Sequence, residues 1–263
     1  MKFPHRTFAF SLLVSVGLAT TFVALAQAQS ATQVAGQLSA QQQGSSYVRL
    51  RMENQSGGGK SVLQVLIKER RSGGSSELLY QILFPKERKG ESVLLRRGAG
   101  GALSGVHFTP PSTVRNLSAS QMKEPLFGGA LAYEDVIDNF FSWSNQTFVG
   151  TETVGRTECQ ILESKPGKGE RSSYSSVRTW LDIKRMVPLR IEKYRGGQVA
   201  KRIDTTDVAR VGGRHLPANM TVRSGSAVTM LDGSRIKNNV SFTDREFTPE
   251  GMADLTIPRS AEE

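Results

Sequence analysis

The residues whose types could do chemistry are few and scattered. Gly57-Gly58-Gly59-Lys60-Ser61 ends like a phosphate-binding loop. That motif needs a glycine where Asn54 stands, and a following helix whose N-terminus holds the phosphate. Here Val62-Leu63-Gln64-Val65 alternates as a strand, so the glycines read as a hairpin turn. His107 and His215 stand far apart, and neither belongs to a paired Cys or His spacing of the kind a metal site requires. No metal and no cofactor is expected. No serine lies in Gly-x-Ser-x-Gly, so a nucleophile elbow has no support; a Ser–His–Asp set gathered from distant strands is left open by the sequence. The single cysteine, Cys159, sits in the alternating segment Cys159-Gln160-Ile161-Leu162 and reads as a buried small hydrophobe. Asn116 and Asn145 open Asn-x-Ser/Thr triplets, chance matches in a bacterial chain and glycosylation candidates in a eukaryotic one. The expectation is a protein that binds and does not catalyse.

The N-terminus says where it works. Lys2, His5 and Arg6 form a positive start, Phe8 to Ala26 is apolar, and Ala26-Gln27-Ala28 offers small residues where a signal peptidase reads. Residues 1–28 are expected to be a signal peptide cut after Ala28, with an uncleaved membrane anchor as the alternative. No cysteine stands near the junction to take a lipid. The rest, residues 29–263, has no long linker and is expected to form one domain, most simply in a bacterial periplasm. It is large enough to bury a core without disulfides. The chain carries 34 Lys and Arg against 24 Asp and Glu, a net charge of +10. Such a balance suits nucleic acid, anionic membrane or acidic ligands. Export and the lack of any nucleic-acid motif turn the expectation to lipid surfaces and head groups, beside a plain solubilising role.

The elements that would position any site are strands. Tyr47–Glu53 alternates Val48, Leu50 and Met52 with Arg49, Arg51 and Glu53. Ser61–Glu69, Glu77–Phe84 and Ser92–Arg97 continue a meander of hairpins. Gly98–Gly105 reads as a loop and Val106–Thr109 as a short strand. A short helix is expected around Val34–Gln43, and another over Tyr133–Phe141, whose acidic first turn suits the helix dipole. Strands follow at Thr147–Val154, Glu158–Ser164, Ser176–Ile183, Val187–Tyr194, Val199–Val208, Arg214–Ser224, Ala227–Leu231 and Arg235–Phe242, the last two divided by an Asp232-Gly233 turn. Leu189 and Ile191 alternate with Arg190 and Glu192. About a dozen strands with few helices imply one large curved antiparallel sheet or partial barrel.

The order of these segments carries a resemblance. Tyr80-Gln81-Ile82-Leu83-Phe84-Pro85 is followed by Phe127-Gly128-Gly129-Ala130-Leu131-Ala132-Tyr133-Glu134-Asp135-Val136, then Gly155–Glu163, Thr179-Trp180-Leu181-Asp182, Val187–Tyr194, Leu216-Pro217-Ala218-Asn219-Met220 and Phe242–Phe247. Over roughly residues 45–250 the chain resembles the outer-membrane lipoprotein-sorting protein family, in a LolA-like branch. The resemblance implies a mainly β half-open barrel, a strongly curved antiparallel sheet with a few short helices covering its hollow. It implies a periplasmic carrier that binds acyl chains of lipoproteins or lipids and moves them toward the outer membrane. An inner-membrane transporter and an outer-membrane acceptor would be its partners, and the carrier would be a monomer. The alternative is a non-catalytic sensing or accessory module that binds a membrane transporter or an envelope-stress regulator. The apolar strand residues Val48, Leu50, Leu63, Val65, Leu78, Tyr80, Ile82, Trp180, Leu189 and Ile191 are the candidates for lining the hollow. Gly128, Tyr133, Glu134 and Asp135 match the family's most recognisable stretch, where they would anchor a covering helix or touch a partner.

Overall fold

A computed structural model describes residues 29–255; residues 1–28, expected from the sequence to be a signal peptide, lie outside them. A helix, α1 (Ala31–Gln41), comes first. Ser30 caps it, accepting from the Gln33 amide while the Gln33 side chain returns to the Ser30 amide. Thirteen strands then form one antiparallel sheet. The first half runs β1 (Gly44–Ser56), β2 (Gly59–Ser72), β3 (Ser75–Phe84), β4 (Ser92–Arg97), β5 (Leu103–Thr109) and β6 (Thr113–Leu117). The second half runs β7 (Asn145–Val154), β8 (Thr157–Lys165), β9 (Ser176–Asp182), β10 (Val187–Arg195), β11 (Gln198–Val211), β12 (Arg214–Ser224) and β13 (Ala227–Asn238). Neighbours in sequence are neighbours in the sheet, except β6 and β7. β1 pairs β13, so the order is β6-β5-β4-β3-β2-β1-β13-β12-β11-β10-β9-β8-β7. The sheet is not closed. It is the half-open barrel expected from the sequence, mainly β, with few helices.

That order fixes one long connection. β6 and β7 lie on opposite edges, so the chain between them, residues 118–144, must cross from edge to edge. It does so over the inner face as a strap of short turns and one five-residue helix, α2 (Tyr133–Ile137). The helix stops well before Phe141. Asp138 turns extended at ψ 146, and a 3-10 turn at Phe140–Ser142 follows. The break has a packing cause. Tyr133 and Ile137 belong to one apolar cluster, whereas Phe140, Phe141 and Trp143 belong to a second with Val34, Ala35 and Leu38 of α1.

The outer face of the first half is covered as well. Beyond β13 the chain lays Phe247 and Met252 against Leu79, Leu94, Val106 and Phe108, and Val240 against Tyr47 and Leu66. Gln81 donates to the Met252 and Asp254 carbonyls at 2.9 Å each. With both faces buried, β3 and β4 read as continuous apolar runs such as Val93-Leu94-Leu95.

Three local expectations are corrected. Asp232-Gly233 is no turn: β13 runs through it, and the pairing steps from Leu50–Gly233 to Arg49–Arg235, a bulge. A Cβ on Gly233 would stand 2.9 Å from the Ala218 carbonyl oxygen, so glycine lets the neighbouring backbone approach. The strand ends at Asn238, short of Phe242, because Phe242 packs with Phe247 in the outer covering. The glycine-rich stretch before Val106 becomes strand from Leu103, and β6 is an edge strand the pattern did not announce. The glycine run of residues 57–59 does form a hairpin turn, with Gly57 at φ 57 and Gly58 at φ 79. Among the described residues no helix is long and apolar enough to cross a membrane.

Candidate binding site

The inner face is built from rows that run across the strands. One passes through Leu63, Met52, Leu231 and Met220, and another through Val222, Ile203, Ile191, Thr179 and Leu162. Alternation points these side chains the same way. Of the ten candidate lining residues, seven share one cluster on this face: Leu63, Val65, Leu78 and Ile82 are buried within it, and Val48, Leu50 and Tyr80 pack against it half-buried. Ile191 joins the second inner cluster. Trp180 and Leu189 do not join them. They pack with Cys159 and Val187 on the other side of the sheet, where Trp180 Nε1 donates to Glu152 at 2.8 Å and Arg190 stacks 5.2 Å from its ring. A bulge between Pro188 and Arg190 breaks the alternation that placed Leu189 with Ile191. Cys159 is buried, as its segment predicted.

What fills the hollow is the strap. Pro125 bridges Ala132, and the Leu126 amide donates to the Leu131 carbonyl at 2.7 Å, closing a loop that sends Leu126, Phe127, Ala130 and Leu131 into the first inner cluster. Phe127 is held at φ 51, a left-handed backbone that an aromatic residue adopts only under constraint. Gly128 follows at φ 82 on the exposed side. Gly129 is pressed to the floor: a Cβ there would lie 2.6 Å from Asn54 Oδ1 and 2.8 Å from Thr229 Oγ1.

Four polar anchors hold the strap down. Thr229 accepts from the Ala130 amide at 2.7 Å and donates to Asn54 Oδ1 at 2.8 Å, all of it buried. Arg71 donates to the Val136 carbonyl at 3.3 Å, and Glu134 takes a hydrogen bond from Ser173 and faces Arg195 at 3.7 Å. The fourth anchor is Asp135, whose side chain is fully buried. It accepts from the Ala132 amide at 2.7 Å, which caps α2, and from the Tyr174 hydroxyl at 2.8 Å. Lys193 Nζ donates at 3.0 Å, and Lys201 Nζ donates to the second oxygen. Burial pushes this carboxyl up, but the two ammonium charges and their hydrogen bonds outweigh it and hold it at about 2. Burial and the Asp135 charge push the Tyr174 hydroxyl far above its usual range. Burial raises the neighbouring Asp138, against the pull of Lys193 and Arg97.

Within the fold Glu134 and Asp135 bond to the sheet side, and Tyr133 is buried in the first cluster. The Asp135 partners Lys193 and Lys201 were not singled out from the sequence. The signal was there: each stands in phase with an inward apolar residue, Ile191 and Ile203.

The fold has relatives among known proteins. A family model described as an uncharacterized protein matches residues 74–254, more than half of the chain. A LolA superfamily protein from Nitrosomonas europaea superposes with a TM-score of 0.66 at 18% identity, over 84% of this chain and 98% of that one. The chain belongs to the family whose model it matches. A domain assigned to outer membrane lipoprotein sorting from Vibrio parahaemolyticus gives a TM-score of 0.76 at 18% identity, covering 85% and 98%. A DUF1329 family protein from Desulfovibrio piger gives 0.75 at 20% identity, covering 84% and 98%. At these identities the likeness of the chain to solved structures, a LolA superfamily protein among them, is one of fold. No curated protein matches it.

Proposed function

We propose that the protein is an exported, non-catalytic carrier, cut after Ala28 and working as one domain of residues 29–263 in the periplasm. It holds acyl chains of lipoproteins or lipids in the inner hollow and moves them toward the outer membrane. The observation that carries this reading is the nature of the filling. The inner face is packed by a strap tethered at both sheet edges and by α1, and among the described residues no second sheet lies opposite. Such a strap can lift without unpairing a strand, and acyl chains gain about 0.8 kcal/mol per buried CH₂ in the space it leaves. Val48, Leu50, Leu63, Val65, Leu78, Tyr80, Ile82 and Ile191 would line that space. The net positive charge suits travel between anionic membrane surfaces. The fold shared with the lipoprotein-sorting domain from Vibrio parahaemolyticus supports the same reading.

Native mass spectrometry of the mature protein, purified without detergent, tests it. An acyl-bearing adduct that extraction releases is the expected result. A clean apo mass that persists after incubation with envelope lipids refutes the carrier and leaves the accessory module that binds a membrane partner.

A further inference from the structure

Lys193 and Lys201 stand directly opposite each other on β10 and β11, on the inner face, 1% and 6% exposed. Asp135 is the ion-pair partner of both among the described residues, and it belongs to the strap. The sheet offers no replacement. Glu192 and Asp204, the acidic residues nearest on these strands, alternate to the outer face, where Arg202 and Arg190 pair with them. Asp138 also lies on the strap, and Glu134 faces Arg195. When the strap lifts, two adjacent ammonium groups are left on an apolar floor with no carboxylate of their own. Burying charge without a counter-charge is costly, so a ligand that only fills apolar space leaves that cost unmet.

We propose that Asp135 occupies the seat of the ligand's anionic group, and that the ligand is an anionic amphiphile: an acyl chain carrying a carboxylate or a phosphate. This rests on the reading that the hollow receives acyl chains. The headgroup takes the donors that Asp135 now uses, Lys193 Nζ, Lys201 Nζ and the Tyr174 hydroxyl, none of which is on the strap. The acyl chain takes the place of Phe127, Leu131 and Ile137 in the first cluster. A second observation points to the same place. Thr179 is wholly buried on this face, next to Val177 and its ladder partner Lys193, and its hydroxyl has no hydrogen-bond partner among the described residues. The sheet thus carries an unmet polar group on the same face, one ladder step from Lys193.

Competition between Asp135 and a ligand has a thermodynamic signature. Lifting the strap costs the same for every ligand, so the preference for an anion over its neutral twin is set by the lysines alone. The test is binding to the delipidated mature chain, read by displacement of a fluorescent fatty-acid probe. The pairs are oleate against oleyl alcohol and dioleoyl phosphatidic acid against dioleoylglycerol, with inorganic phosphate alone as the chain-free anion. The anionic member of at least one pair is expected to bind about tenfold tighter or more, the worth of a charge-assisted over a neutral hydrogen bond. The pair with the larger ratio identifies carboxylate or phosphate as the headgroup, and phosphate alone displaces nothing. Asp135→Asn is expected to raise affinity for both members of a pair without changing their ratio. The charge-free variant Asp135→Asn, Lys193→Met, Lys201→Met is expected to fold, since neutral replacement of a buried ion cluster is tolerated, and to bring the ratio near one. Lys201→Gln alone, a milder change, should lower the ratio part-way. Equal affinity for acid and alcohol in the wild type overturns the anion seat and leaves the acyl carrier standing. Binding of neither overturns both. An undiminished ratio in the lysine variants places the anion elsewhere and overturns the proposal.

Discussion

Replacing Asp135 by Asn removes one negative charge and leaves two buried ammonium groups facing an amide. The carboxyl ionises at about 2 in the folded chain against an ordinary 3.8. At about 1.36 kcal/mol per pH unit, its charged form contributes roughly 2 kcal/mol to the fold at neutral pH. Removing one member of a buried ion pair typically costs about 3–5 kcal/mol, of the same order. For a chain of this size each kcal/mol moves the midpoint by about 2–4 °C. Asp135→Asn should therefore lower the thermal midpoint by about 5–15 °C and shift urea unfolding to match. The charge-free triple variant should recover most of the loss, since no ion is left unpaired. Thermal and urea melts of parent, single and triple variants at neutral pH supply the cycle. A midpoint for Asp135→Asn within about 1 °C of the parent would refute the reasoning. So would a triple variant less stable than the single one, since the loss would then not come from uncompensated lysines.

Acid should unfold the protein in a narrow window. Asp135 and Glu91 both ionise at about 2 in the fold, against 3.8 and 4.5; their depressed values give stability that is complete above 4.5 and lost as pH falls toward 2, which urea midpoints across that range will show. Gly129→Ala should cost about 1–3 kcal/mol by overpacking, because its Cβ would meet Met52 Cε and Thr229 Oγ1 at 2.8 Å each; a melt unchanged from the parent would mean the strap does not press on the floor. Thr229→Val should cost about 1–3 kcal/mol by stranding the Ala130 amide and Asn54, measured by urea unfolding. Burial raises the Cys159 thiol, so a thiol reagent should modify it only as fast as the fold opens, and prompt labelling of native protein would contradict its position.

Much of the architecture was legible because half-buried strands alternate. Val48, Leu50 and Met52 told their face, and the glycine pairs told the hairpins. Where alternation failed, a bulge was at work. Gly233 resembles a turn residue in sequence and serves as a close-approach residue in a continuous strand, a difference decided by Ala218 on the neighbouring strand. Leu189 is in phase with Ile191 on paper and out of phase in the sheet. The site was half legible. Tyr133-Glu134-Asp135 stood out, but the partners that give Asp135 its role lie on β10 and β11, far along the chain. Only the inward phase of Lys193 and Lys201 marks them. The filling of the hollow could not be read from composition either, since it follows from β6 and β7 ending on opposite edges.

The single pairing outside the sequential strand order also bears on how the chain assembles. Every other pairing is a local hairpin, or nearly so, and can form as soon as its two strands exist. The seam between β1 and β13 joins residues such as Gln55 and Val228 from opposite ends of the chain. Loop-closure entropy makes that contact late. Until it forms, the molecule is two meanders, each with a long unpaired edge at its centre, and β1 shows that edge for nearly the whole length of synthesis. A bare strand edge templates pairing with other chains. The vulnerable species in folding is thus the half-sheet that waits for its mate, and substitutions along the seam should change yield more than they change the finished protein's stability.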